Sequence, residues 1–122
     1  MAERPISNTP QQALVLLNDP TYVEAARIFA ERIIGTHAKD LDRLDLAFRL
    51  ALARPPTNKE TGVLQNLLEK ERAIYAENEN DALSLLKTGE KPADATMDSA
   101  ELAAWTSIAR VILNLHETIT RN

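Results

Sequence analysis

The chain has 122 residues and no cysteine, a length that suits one domain with a single core and a composition that excludes thiol nucleophiles, thiolate metal sites and covalent haem attachment. Its net charge is −4 with acidic and basic residues interleaved, so no basic face is available to displace counterions from phosphates and nucleic acid is excluded as a partner. No apolar run approaches the roughly 20 residues that span a bilayer, and Met1-Ala2-Glu3-Arg4-Pro5 has no hydrophobic signal core, so membrane insertion is excluded as well.

Three glycines, few aromatics and abundant Ala, Leu, Glu and Arg make a helix-forming composition, and no stretch alternates as a strand would. Residues 1–9 read as an irregular lead-in. Thr9-Pro10 then supplies an N-cap followed by a proline at the first helical position, predicting a short helix over residues 10–17 whose run Ala13 to Leu17 is apolar nearly all round. Asn18-Asp19-Pro20 repeats the device and opens a second helix to Ile34, ended by Gly35 in a left-handed conformation. Asp40 is the expected N-cap of a third, over residues 41–53, with Leu41, Leu44, Phe48 and Ala51 on one stripe and Leu46 and Leu50 beside it; it is expected to be central. Arg54-Pro55-Pro56 cannot continue a helix, and Thr57 with Glu60 three residues on forms a capping box. A fourth helix follows to about Asn78, with Val63, Leu64, Leu67, Leu68, Ile74 and Tyr75 inward and Lys70, Glu71 and Arg72 facing water. A weaker piece over 81–87 precedes the longest loop, 89–97. Asp98 and Glu101 then cap a final helix to about Thr120, with Leu102, Trp105, Ile108, Ala109, Ile112, Leu115 and Ile119 inward.

Three stretches carry a resemblance. They are Asn8-Thr9-Pro10-Gln11-Gln12-Ala13-Leu14 continued by Leu16-Leu17-Asn18-Asp19-Pro20, then Ala47-Phe48-Arg49-Leu50-Ala51-Leu52-Ala53-Arg54-Pro55-Pro56-Thr57, and Ala104-Trp105 through Arg110-Val111-Ile112-Leu113-Asn114-Leu115-His116-Glu117-Thr118. In this order they resemble the C-terminal region of the planctomycete-type proteins of domain of unknown function 1553. Ala53 departs from that pattern, which more often has Gly before Arg-Pro-Pro. The resemblance implies a large exported bacterial protein, periplasmic or extracellular, in which this region follows another uncharacterised domain and often a cytochrome-c-like one. It also implies that the natural protein extends upstream of Met1-Ala2. Lacking cysteine, this chain would not be the haem-carrying part. The family brings no catalytic residue to carry over.

Each candidate site has a plainer structural explanation. His116-Glu117 is a tempting pair, but neighbours on a helix point about 100° apart, and the second histidine of a zinc motif is missing; with His37 in a predicted loop, no metal site is expected. Thr106, Arg110, Asn114, Glu117 and Arg121 form a polar stripe on the last helix, read as a solvated face or as a docking surface for an upstream domain. Asn8, Gln11 and Gln12 flank a helix N-terminus whose free N–H groups could meet an anion or a carbonyl. Trp105 is expected in the core with its N–H bonded to backbone. Asp42 and Asp45 face solvent or Arg49, and no acid–base pair has a reason for a perturbed pKa.

The expectation is an all-α fold, a compact bundle of five or six helices forming a single domain over residues 10–122. Its expected role is a non-catalytic scaffold or interaction module that docks on upstream domains of its parent protein through Asn8, Gln11, Gln12, Arg110, Asn114, His116 and Glu117, without metal or cofactor. The alternative is an accessory domain completing an active site for carbohydrate breakdown or redox chemistry formed with upstream domains, which predicts a cleft lined by Asn8, Gln11 and His116.

Overall fold

A computed structural model describes residues 19–121, with side chains described over 19–116. The predicted helix over 10–17, with Asn8, Gln11 and Gln12, lies outside the described residues, as do the side chains of Glu117, Ile119 and Arg121.

Helix α1, Pro20–Thr36, starts as its sequence dictates: Asp19 accepts hydrogen bonds from the Thr21 and Tyr22 amides at 2.8 and 3.3 Å, and Pro20 occupies the first turn, where no amide is missed. It ends differently from expectation. Gly35 stays helical, because the Thr36 hydroxyl donates to the Arg32 carbonyl at 2.7 Å and the His37 amide to Ile33, serving the last carbonyls without a left-handed residue. Helix α2, Asp40–Leu52, has Lys39 at its cap and not Asp40. Asp40 is the first helical residue, and its carboxylate is drawn away to an arginine of the next helix.

The turn after α2 is left-handed at Ala53, with φ 59° and ψ 29°, the position where the family pattern more often has Gly. Helix α3, Asn58–Glu77, opens on the expected capping box between Thr57 and Glu60. The Glu60 carboxylate also takes both ends of the Arg54 guanidinium at 2.8 and 2.9 Å, and Arg54 lies over the Phe48 ring, so the proline turn is clamped from both sides. Helix α4, Glu79–Leu86, follows after Asn78 alone, beginning two residues before the predicted piece. Helix α5, Ser99–Arg121, is capped by Asp98, which accepts from the Glu101 amide at 3.0 Å; Glu101 does not return the bond, so only half of the predicted box forms.

These five helices and no strand make up the described residues, and the fold is all-α. Its organisation corrects one expectation. Helix α5, not α2, is central: it touches all four others, which surround it in the order α1, α2, α3, α4, while α1 does not meet α3 and α2 does not meet α4. The reason lies in residues 102–109, where Leu102, Ala103, Ala104, Trp105, Thr106, Ile108 and Ala109 are all buried, so the helix is covered on nearly every side and its alanines let neighbours approach closely. By contrast α2 leaves Leu41 and Leu50 exposed, and α3 leaves Val63 and Ile74 exposed, so only part of each predicted stripe reaches the core. The core joins Ala26, Ala30 and Ile33 of α1, Leu44 and Phe48 of α2, Leu64 and Leu68 of α3 and Ala82 and Leu86 of α4 onto that axis.

Candidate functional site

Four charged side chains and one indole meet where the N-terminal parts of α2 and α5 face the C-terminal half of α3. Arg72 of α3 makes four hydrogen bonds through one guanidinium: two to Asp40 of α2, at 2.8 and 2.9 Å, and two to Glu101 of α5, at 2.6 and 2.9 Å. Arg43 donates to Glu101 at 3.2 Å and to the His37 carbonyl at 2.7 Å, and it lies over the Trp105 ring. The Trp105 N–H donates to Glu101 at 3.0 Å. The expectation that the indole would bond to backbone is therefore corrected, because a carboxylate one turn earlier is within reach and is the stronger acceptor. Arg72 does not face water as expected. It continues the buried stripe Leu64–Leu68 at the next four-residue step, which carries it onto α5.

Two guanidiniums balance two carboxylates, and the electrostatics follow. The Arg72 hydrogen bonds hold the Asp40 carboxyl below the usual carboxylate range against the cost of its partial burial. Burial pushes Glu101 up, but the Arg72 hydrogen bonds and charge, the Trp105 N–H and nearby Arg43 outweigh it, and its carboxyl also lies low. Both carboxylates raise the Arg72 pKa. A general acid or base working near neutral pH needs its pKa moved towards 7, and these shifts run the other way. Both Glu101 oxygens and both Asp40 oxygens already accept hydrogen bonds, so the arrangement is a clamp joining three helices. Among the described residues no group of three or more His, Asp or Glu side chains is placed to hold a metal.

A second charged group fixes the α4–α5 loop. Arg27 of α1 is 1% exposed; it pairs with Glu31 at 2.7 Å and donates to the carbonyls of Lys91 and Pro92. Glu24 accepts from the Lys91 amide and Glu31 from the Asp94 amide at 2.8 Å, so one face of α1 serves as ligand to a loop backbone. Gly89 has φ 95°, and a Cβ there would stand 2.5 Å from the Glu24 side chain.

The residues chosen from sequence fare unevenly. Thr106 is fully buried and donates to the Leu102 carbonyl at 2.7 Å, so the stripe on α5 is not a solvated face at that end. Arg110 and Asn114 are half-buried and His116 is exposed. The Tyr22 hydroxyl donates to the Arg110 carbonyl at 3.4 Å, which sets the start of α1 beside the C-terminal half of α5. Asp45 pairs with Arg49 at 2.8 Å as its spacing implied.

The class this fold and site define is an all-α domain whose charged clusters bind its own helices together. The model of the PSD1 family, described as a protein of unknown function (DUF1553), matches residues 1–68, more than half of the chain, and the chain belongs to that family. No curated protein and no solved structure matches it. The match ends at Leu68, inside α3 and at a residue of the buried core.

Proposed function

We propose that this domain is a non-catalytic helical scaffold or interaction module of a larger bacterial protein, docking on upstream domains of its parent. The observation that carries the reading is the clamp: its carboxylates are held ionised and fully engaged, which suits joining helices and not proton transfer. No helix of the described residues is long and apolar enough to cross a membrane, in keeping with docking on protein. The docking residues are Arg110, Asn114 and His116 of α5, together with Asn8, Gln11, Gln12 and Glu117 as read from the sequence. The Tyr22–Arg110 contact supports the set, since it places the first turn of α1, which follows residues 8–12 in the sequence, beside Arg110. The family resemblance supports the address, an exported planctomycete-type protein with a cytochrome-c-like domain elsewhere in the chain.

The test is calorimetric titration of this domain against the remainder of its parent polypeptide. Binding with a negative heat-capacity change is expected, and changing Arg110 and Asn114 together to Ala should weaken it by roughly tenfold or more. His116→Ala, at an exposed position, should weaken binding too, with circular dichroism and the urea midpoint checking that each variant keeps the fold. Affinity unchanged in all variants would remove this surface from consideration.

A further inference from the structure

Helix α3 turns one face away from the other described helices. Leu64 and Leu68 reach the core, whereas Lys59, Gly62, Val63, Ala73, Ile74 and Glu77, on the opposite side, are all exposed. Three features of that face are not needed by the fold itself. Val63 and Ile74 are 57% and 48% exposed, and beside Val63 the apolar surface runs into a hollow of about 270 Å³ lined by Phe48, Leu64, Val111 and Leu115. Gly62 lies inside a helix, where glycine is less stable than alanine, yet nothing stands within 4 Å of where its Cβ would be. Lys59 in the first turn and Glu77 in the last both oppose the helix dipole.

We propose that this face binds the same face of a second copy, with the two α3 helices antiparallel about a two-fold axis level with Leu68. A two-fold interface must be self-complementary when turned end for end, and this face meets that condition. Lys59 and Glu77 stand nine residues to either side of Leu68, Gly62 and Val63 six and five before it, and Ala73 and Ile74 five and six after it. Lys59 therefore comes opposite Glu77 of the partner subunit and beside the negative end of that helix. Charges unfavourable within one helix become favourable between two. Val63 packs on Ile74 of the partner subunit along one flank. Gly62 meets Ala73 of the partner subunit along the other, and this small pair lets the backbones approach. The axis repeats each contact along a helix of 20 residues, about 30 Å long. None of these residues belongs to the docking set proposed above, so the two readings can fail separately.

Sedimentation equilibrium of the full chain from about 1 μM to 1 mM, the range of weak interfaces, is expected to show mass rising with concentration from monomer towards dimer. Lys59→Glu and Glu77→Lys should each weaken association by roughly tenfold or more, since like charges then face one another twice, and the double variant Lys59→Glu/Glu77→Lys should recover it. Both single changes run with the helix dipole, so the urea midpoint of the monomer should hold or rise, which separates lost association from lost fold. Gly62→Ala should likewise raise that midpoint while weakening association. A chain monomeric over the whole range would overturn the proposal and leave the face to a different protein. Association that neither single charge change weakens, or that the double change does not recover, would overturn it too.

Discussion

Ala53 holds a left-handed backbone that costs an L-residue about 1–2 kcal/mol. Glycine there escapes the penalty but loses more freedom on folding, so Ala53→Gly is expected to stabilise the domain by about 0.5–1 kcal/mol, read from the urea midpoint. The sequence alone located this position as a departure from the family pattern, and the structure supplies the reason. Gly89 is the opposite case. Its φ is positive and its would-be Cβ meets a Glu24 side chain that is already bonded to the Lys91 amide, so Gly89→Ala should destabilise by about 1–3 kcal/mol. A Gly89→Ala variant as stable as the parent chain would show that the loop is not held as described.

At the scale of elements, the ion pairs make stability depend on pH in a stated direction. Glu60 is held down from 4.5 to about 2, first by the Arg54 hydrogen bonds and then by the Thr57 amide, and Asp40 and Glu101 are held low in the clamp. A carboxyl whose folded pKa is depressed binds its proton more readily in the unfolded chain, so its stabilisation is complete above the unfolded value and is lost as pH falls through the folded one. The unfolding free energy followed by Trp105 fluorescence should therefore be level near neutral pH and fall from about pH 4.5 towards 2. Glu60→Gln and Glu101→Gln should each remove part of that fall while lowering stability at pH 7. Three helix starts were legible, because Asp19-Pro20, Thr57-x-x-Glu60 and Asp98 act on residues within three positions of themselves, whereas the Gly35 stop and the Asp40 cap were overridden by the Thr36 hydroxyl and by Arg72. The clamp was not, since Arg72 reaches partners 32 and 29 residues away in sequence. The one local signal was periodic: Arg72 continues Leu64 and Leu68, Glu101 precedes Trp105 by one turn, and Arg27 lies beside Ala26 and Ala30 on a buried face. A charged residue on an apolar stripe marks a buried ion pair better than a solvated face.

At the scale of the molecule, the central position of α5 follows from its being apolar on more than one side, a property read more reliably from Leu102–Ala104, Trp105 and Ile108–Ala109 together than from any single stripe. The candidate docking residues Arg110, Asn114 and His116 were readable as a set on one helix, whereas their burial was not, because it depends on which neighbours surround α5. The family match ends at Leu68, yet the core of α2 and α3 packs on Leu102, Trp105 and Ile108. A chain stopped at residue 68 should accordingly fail to fold cooperatively, showing no urea transition by circular dichroism, while the full chain shows one. If the shortened chain unfolded cooperatively, α5 would not be the organising axis.

The central claim is that the charged cluster of α2, α3 and α5 is a structural clamp. It is tested most directly by a double-mutant cycle on Arg72→Met and Glu101→Gln, with unfolding free energies measured in urea through Trp105 fluorescence. A clamp predicts that the two changes are strongly non-additive, with a coupling of about 1–3 kcal/mol. Effects that add to within about 0.5 kcal/mol would contradict it.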